Sequence, residues 1–154
     1  ISGLDLLNES EKNLRDKIVI KNKLNFGKAN LVVAVPDDWI DVQTIADLEE
    51  ISFDIRSKRN TRLRIATKYP NLTNDFLLSK GVTQYRLISS LGATETYPFI
   101  GSSEIITDIT STGKTLADNN LRVLKDGQIL VSTACLFVAK KKAAKLQPFL
   151  NSFS

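Results

Sequence analysis

Short apolar runs alternate along this chain with segments in which apolar residues recur at helical spacing. The longest run, ANLVVAV over residues 29–35, is rich in valine and stops before Pro36. A continuous apolar run of this length is typical of a strand that is buried on both faces of a parallel sheet. Shorter runs predict strands over residues 17–20, 63–67, 85–88 and 103–109, and two more within 128–140.

The segments between these runs predict helices. Residues 41–49 begin with an acidic side chain and then carry apolar residues at helical spacing. Thr73 is a candidate N-cap for a helix over residues 74–80, which Gly81 would end. Further helices are predicted over residues 4–13, over 94–100 before Gly101, over 116–119, and as a basic amphipathic helix at the end of the chain. This alternation of strands and helices indicates an α/β fold with a mostly parallel sheet.

Composition narrows the chemistry that the 154-residue chain can perform. Apolar residues make up 42% and charged residues 25%, the balance of a soluble globular protein, and no apolar run reaches the ~18 residues that a membrane span needs. The chain has no histidine, which excludes Ser-His-Asp and Cys-His nucleophile systems and histidine metal sites. A single cysteine, Cys135, can form neither an intramolecular disulfide nor a cysteine-rich zinc site, which predicts a cytoplasmic location.

The first residue of the chain is also informative. The sequence starts at Ile1 and contains no methionine, so we expect a chain that has been processed, trimmed or cut from something longer. Its opening lacks the basic start and apolar core of a signal peptide.

Positive charge is concentrated in two stretches, although the net charge is only +4. Either stretch can be a solvated face or can attract an anionic ligand, and two interpretations therefore stay open. A phosphate-rich small molecule fits such a stretch as well as a nucleic acid does, because local placement of charge matters more than the net value. The basic residues are Arg56, Lys58, Arg59, Arg62 and Arg64 in the first stretch, and Lys140, Lys141, Lys142 and Lys145 in the second.

One segment carries the chemistry of a phosphate site. After the predicted strand over 103–109, the residues run Asp108-Ile-Thr-Ser-Thr-Gly-Lys-Thr-Leu116 into a short predicted helix. Backbone N–H groups and hydroxyls in such a loop can donate hydrogen bonds to an anion, and Gly113 permits a backbone conformation that other residues resist. An ordinary hydroxyl-rich turn is the alternative. The candidate phosphate ligands are Thr110, Ser111, Thr112, Gly113, Lys114 and Thr115.

The same segment resembles the end of a P-loop but departs from it at the beginning. Gly113-Lys114-Thr115 fits G-x-x-x-x-G-K-[ST], whereas Asp108 stands where the first glycine belongs. A carboxylate there would repel a triphosphate, but it can accept hydrogen bonds from ribose hydroxyls or hold Mg²⁺. The pattern therefore predicts a ribose 5-phosphate site. Glu104, four residues before Asp108 on the same face of an extended strand, either joins this site or faces solvent.

Five stretches in a fixed order resemble one family. GSSEIITDITSTGKTLADNNLRVL, residues 101–124, resembles the phosphoribosyl-pyrophosphate loop of the ATP phosphoribosyltransferase family, whose members catalyse the first step of histidine biosynthesis. ISGLDLLNE, FGKANLVVAVP, RIATKYPNLT with SLGATETYP, and ACLFVAKK resemble other stretches of the same family. The similarity covers the chain from Ile1 to about Lys140.

The resemblance implies a two-lobed fold like that of type II periplasmic binding proteins, with the active site in a cleft. Residues 1–36 and 129–154 would then belong to the first lobe and residues 37–128 to the second. Family members begin with a further strand and basic loop, so we expect a first lobe that is incomplete and an N-terminally truncated chain. The short form of the enzyme, which works with a separate regulatory subunit, is the form that the chain resembles.

The resemblance also implies a reaction and a set of ligands. Phosphoribosyl would pass from phosphoribosyl pyrophosphate to N1 of ATP with Mg²⁺ present, in an assembly that is a homo-oligomer or a complex with a regulatory subunit. Residues 110–115 would hold the 5-phosphate and Asp108 the ribose, while Glu104 takes a position that is usually acidic in the family. Other residues would line the cleft or bind nucleotide, namely Gly92, Glu95, Thr67, Lys68 and Tyr69.

Two other functional classes compete with this interpretation. A non-enzymatic small-ligand sensor of the same fold would need neither an acid before TSTGKT nor Mg²⁺. A nucleic-acid module built on the stretch from Arg56 to Arg64 would need interleaved aromatic residues, and Phe53 alone lies within reach. We therefore expect no nucleic-acid or membrane partner.

Overall fold

The computed structural model describes residues 2–3, 9, 18–23, 29–132 and 134–139. By its internal contacts the chain divides into two compact units, one formed by residues 1–29 with 131–154 and the other by residues 30–130. The family resemblance implied that the first segment of the first lobe ends at Pro36, whereas the contacts divide the chain between residues 29 and 30. The assignment of whole lobes to the bounds 1–36, 37–128 and 129–154 stays a prediction.

The smaller unit contains a three-stranded antiparallel sheet. Its strands, in order across the sheet, are β1 (Ser2–Gly3), β8 (Ala134–Ala139) and β2 (Ile18–Lys23). Strands were predicted over residues 17–20 and at the ACLFVAK run, and β2 and β8 confirm them. The predicted helix over 4–13, apart from Glu9, and the basic helix with its four lysines lie outside the described residues.

The larger unit is built on a five-stranded mixed sheet. β4 is parallel to both β5 and β6, but β3 is antiparallel to β6, so the expectation that the long apolar run is a parallel strand was wrong. Alternate residues of β3 pack into two separate cores, with Val33 on one face of the sheet and Val32 on the other. A strand that is buried on both faces has a continuous apolar run whether its neighbour is parallel or antiparallel. The strands in order are β5 (Tyr85–Ser89), β4 (Leu63–Thr67), β6 (Ile105–Thr110), β3 (Ala29–Pro36) and β7 (Leu121–Ser132).

The first helix, α1 (Ile45–Arg59), starts later and runs further than the predicted segment 41–49. Its start is fixed by a capping box, in which the Thr44 hydroxyl accepts from the Asp47 N–H and the Asp47 carboxylate accepts from the Thr44 N–H. The Asp47 carboxylate also accepts from the Gln43 N–H, and these backbone hydrogen bonds lower its pKa.

The second helix, α2 (Pro70–Ser79), begins three residues before the predicted N-cap. Proline at the first helical position has no N–H to leave unpaired, so Pro70 can start the helix and Thr73 lies buried inside it. Gly81 ends this helix as predicted, with a φ of +81°. A 3₁₀ helix (Thr94–Thr96) replaces the longer segment predicted at 94–100, and α3 (Lys114–Asp118) begins two residues before the segment predicted at 116–119. No helix among the described residues is long and apolar enough to cross a membrane.

Candidate functional site

A cavity of about 450 Å³ opens where β4 and β6 end. Because β4 and β6 are parallel, their carboxyl ends meet at one edge of the sheet, where ligands of α/β proteins commonly bind. The 3₁₀ helix contributes one further side chain from the segment after β5. The lining residues are Lys68, Tyr69, Glu95, Asp108, Ile109, Thr110, Ser111, Thr112, Thr115 and Leu116.

The loop from β6 to α3 is held together by its own hydroxyls. The Gly113 N–H donates to Thr110 Oγ1 at 2.8 Å, and the Lys114 N–H donates to Thr112 Oγ1 at 3.3 Å. Gly113 has a φ of +78°, in the left-handed region that favours glycine. Each hydroxyl that accepts in this way keeps its own hydrogen, so Thr110 and Thr112 can still donate to an anion in the cavity.

Asp108 supplies a half-buried carboxylate to the cavity. Burial raises the pKa of its carboxyl above the usual range, and the nearby Glu95 charge raises it further. A hydrogen bond of 2.8 Å from the Ile109 N–H to Asp108 Oδ1 and the positive charge of Lys68 act in the opposite direction. The cavity thus holds two carboxylates and one ammonium group close enough to influence one another.

Glu95 is positioned by a turn that two buried hydroxyls stabilise. Ser90 Oγ and Thr94 Oγ1 are 2.7 Å apart, and the Ser90 hydroxyl also donates to the Gly92 carbonyl at 3.4 Å. Ala93 adopts a left-handed conformation with a φ of 46° between them. Gly92 therefore shapes the turn that presents Glu95 and does not itself line the cavity.

The structure brings together most of the predicted site residues, although their ligand contacts stay a prediction. Of the predicted set, Gly113 and Lys114 belong to the loop and Thr67 ends β4, but none of the three lines the cavity. Among the described residues, Lys68 is the lining residue that carries a positive charge. Ile109 and Leu116 line the wall but were not predicted, because apolar residues of this kind read as core in a sequence. Leu116 also packs in the hydrophobic core that contains Val32, so this side chain belongs both to that core and to the wall of the cavity.

Glu104 does not line this cavity, whereas the sequence left it open whether this residue joins the Asp108 site or faces solvent. It precedes β6, and four residues of extended chain place it about 13 Å from Asp108, at the other end of the strand. Its carboxylate instead binds Arg64: Oε2 accepts from the Arg64 backbone N–H at 2.7 Å, and Oε1 accepts from Nη2 at 3.0 Å. Glu104 therefore has a structural role that joins the starts of β4 and β6.

Three buried threonines connect the elements that surround the cavity. Thr107 Oγ1 lies 2.6 Å from Thr67 Oγ1 and 2.8 Å from Thr73 Oγ1, and the third pair, Thr67 and Thr73, is 3.3 Å apart. Thr67 Oγ1 also accepts from the Tyr69 N–H at 2.8 Å. This hydroxyl cluster joins β4, α2 and β6 and fixes the segment that carries Lys68 and Tyr69 into the cavity.

Replacing Thr73 by valine is expected to destabilise the fold by about 1–2 kcal/mol, since it removes one hydroxyl from a buried, satisfied cluster. Denaturant unfolding followed by circular dichroism measures this change. Thr83→Val at an exposed position is the matched control and should stay within about 0.5 kcal/mol of the parent chain. Equal unfolding free energies for the two variants would show that the cluster contributes nothing.

The donor set of the cavity suits a hard divalent cation that is held mainly by its substrate. Asp108 and Glu95 provide carboxylate oxygens and the loop provides hydroxyls. Within the described residues no three Asp, Glu, Cys or His side chains cluster as an all-protein metal site. Mg²⁺ commonly binds through one or two carboxylates together with substrate phosphates, and these residues fit that mode.

The comparisons with known proteins agree on one family. The family model described as ATP phosphoribosyltransferase matches residues 1–153. The ATP phosphoribosyltransferase of Chelativorans sp. (strain BNC1) is 52% identical over 143 residues, which are 92% of this chain and 62% of that protein. The chain thus spans about three fifths of the length of this relative, and 43% of the length of several others.

Solved structures give the same result. The ATP phosphoribosyl transferase (HisG:HisZ) complex from Thermotoga maritima is similar with a TM-score of 0.71 and 28% identity, over 98% of this chain and 63% of that one. A probable amino-acid ABC transporter extracellular-binding protein, ytmK from Bacillus subtilis, is similar with a TM-score of 0.56 and 11% identity, over 93% of this chain and 58% of that one. The second likeness shows the fold alone, a type II periplasmic-binding-protein-like fold that the chain contains in part.

Proposed function

Because this chain belongs to the ATP phosphoribosyltransferase family, we propose that it is the part of such an enzyme that binds phosphoribosyl pyrophosphate and takes part in the first step of histidine biosynthesis. One observation carries the proposal: a hydroxyl-rich loop, a half-buried carboxylate and a lysine converge on one cavity at the carboxyl ends of β4 and β6. The family membership favours an enzyme over the non-enzymatic sensor of the same fold.

The reaction joins N1 of the adenine of ATP to C1 of the phosphoribosyl group. The C1–O bond to pyrophosphate breaks as the N1–C1 bond forms, the electron pair leaves with pyrophosphate, and the adenine amino group loses a proton to solvent. The ring nitrogen is already a nucleophile, so a strong general base is not required, which agrees with a chain that has no histidine. The rate would come from holding two anionic substrates in line and from stabilising the charge of the leaving group.

The hydroxyl-bearing loop residues and the charged lining residues each have a role in this proposal. Thr110, Ser111, Thr112 and Thr115 donate hydrogen bonds to the 5-phosphate, and Asp108 accepts from the ribose hydroxyls. Lys68 stabilises negative charge on the same ligand. When bound, Mg²⁺ would neutralise charge on the pyrophosphate, with Asp108 and Glu95 as its protein carboxylates.

Two further features belong to the proposal. We place the active form in a complex with a second subunit, because one of the similar structures is a complex of two different proteins. We place the protein in the cytoplasm, because a single cysteine suits a reducing compartment.

Calorimetric titration of the chain with phosphoribosyl pyrophosphate and Mg²⁺ tests the proposal. Saturable binding with one site and a dissociation constant in the micromolar range is the expected result, because the cavity and its loop lie within one compact unit. Ribose 5-phosphate should bind more weakly at the same cavity, since it lacks the pyrophosphate. A chain that is folded by circular dichroism but shows no heat of binding would contradict the proposal.

A further inference from the structure

A second cavity, of about 640 Å³, lies at the opposite end of the parallel strands. Arg62 precedes β4, Arg86 is the second residue of β5, and Glu104 precedes β6, so the cavity opens at the amino ends of these strands. Strand β4 has five residues and is therefore about 16 Å long. The second cavity and the cavity at the carboxyl ends of the strands lie about this distance apart. The lining residues of the second cavity are Arg59, Asn60, Thr61, Arg62, Arg64, Arg86 and Glu104.

This second cavity, called the arginine cavity below because four of its lining residues are arginines, carries more positive than negative charge. Among the described residues Glu104 is the one carboxylate that lines it, and Arg64 already binds that carboxylate through Nε and Nη2 at 3.0–3.2 Å. The other three arginines that line the cavity, Arg59, Arg62 and Arg86, are exposed, and within residues 29–132 they form no salt bridge. Three exposed guanidinium groups therefore line the same cavity as a fourth, which the Glu104 contact and the Gly101 carbonyl hold in place.

We propose that the arginine cavity binds a small ligand through a polyphosphate group, at a site separate from the substrate site. Guanidinium groups present planar forks that match phosphate oxygens, and a cavity of this size accommodates a small molecule. Asn60 and Thr61 add neutral hydrogen-bonding groups at the same wall. None of the described residues that line this cavity is aromatic, so its phosphate-binding groups, and not a stacking surface, carry the recognition.

Titration with inorganic tripolyphosphate at low ionic strength tests this site. Arg62→Gln with Arg86→Gln should weaken tripolyphosphate binding at least tenfold, because two of the free guanidinium groups are lost. The matched control, Arg56→Gln with Lys58→Gln, removes the same charge from exposed residues of α1 that do not line the cavity, and should change the dissociation constant less than threefold. Added salt should weaken binding to the parent chain.

Each of the following results would overturn the proposal: no saturable binding of tripolyphosphate, equal losses in the two paired variants, or a single-stranded oligonucleotide that binds more tightly through the same arginines. Repeating the titration in the Gly113→Val chain separates this site from the substrate loop. Binding that persists there and still depends on Arg62 and Arg86 supports the arginine cavity even if the loop does not bind phosphoribosyl pyrophosphate. Binding that disappears there would assign the tripolyphosphate to the loop and contradict the second site.

Discussion

Asp108→Asn is expected to weaken the binding of phosphoribosyl pyrophosphate by about 1.5–3 kcal/mol, which is roughly ten- to a hundredfold in the dissociation constant. The half-buried carboxylate is the acceptor proposed for the ribose hydroxyls, and the amide keeps its shape while removing its charge. Calorimetric titration with Mg²⁺ measures the change. Asp118→Asn is the matched control, because Asp118 is an exposed carboxylate at the end of α3 that does not line the cavity.

The same substitution should act in the opposite direction on stability. Burial raises the pKa of Asp108 above its usual value of 3.8, so the folded chain binds this proton more tightly than the unfolded chain does. The stability that this group contributes is present below pH 3.8 and is lost as the pH rises through the higher folded pKa. The asparagine variant has no buried charge at this position and therefore does not lose stability as the pH rises. It should unfold at a higher denaturant concentration than the parent chain at neutral pH. Weaker ligand binding with a lower midpoint would indicate a damaged fold instead of a missing contact, and an unchanged midpoint would contradict the proposed effect of burial on stability.

Gly113→Val is expected to abolish detectable binding of phosphoribosyl pyrophosphate. Apart from Gly113 itself and its two chain neighbours, no described atom lies within 4 Å of the position that a Cβ would take. The effect would therefore come from the backbone, whose φ of +78° a β-branched residue strongly disfavours. Relaxing to another conformation breaks the Gly113 N–H to Thr110 hydrogen bond and rearranges the loop hydroxyls. The measurement is the same titration, carried out on a chain whose circular dichroism matches that of the parent.

Gly81→Val provides the matched control for this substitution. Gly81 has a φ of +81° and open space around its Cα, but it lies at the end of α2 and does not line the cavity. Both variants should lose about 1–2 kcal/mol of unfolding free energy, the cost of a left-handed conformation for an L-residue. Only Gly113→Val should lose the ligand, and a normal titration curve for it would show that the loop conformation is unimportant.

The local parts of the site were accessible from the sequence. The loop around Gly113 and the preceding Asp108 follow each other along the chain, so their chemistry and spacing indicate a phosphate site without any tertiary information. The same holds for the end of α2 at Gly81, where a positive φ is needed. Lys68 and Glu95 were assigned to the site only through the family resemblance. The site is formed by segments that follow three different strands, and these segments meet because of the order of strands in the sheet, which a local sequence pattern does not show.

The errors arose where tertiary structure overrides a local pattern. Thr73 reads as an N-cap, but its hydroxyl is used by two threonines on neighbouring strands, and Pro70 starts the helix instead. Glu104 and Asp108 have the spacing of residues on one face of a strand, but this spacing does not show that Glu104 precedes β6 while Asp108 lies towards its carboxyl end. The antiparallel pairing of β3 could not be predicted, because burial on both faces gives the same apolar run in either direction.

The division of the chain into a continuous unit and a discontinuous one has a consequence for synthesis on the ribosome. All five strands of the larger sheet precede β8, which is the central strand of the smaller sheet. About 110 residues separate β2 from β8, so at about 5–20 residues per second the earlier strand waits roughly 6–20 s for its partner. The larger unit can fold during that interval, while β1 and β2 keep unpaired backbone edges that a ribosome-associated chaperone could cover.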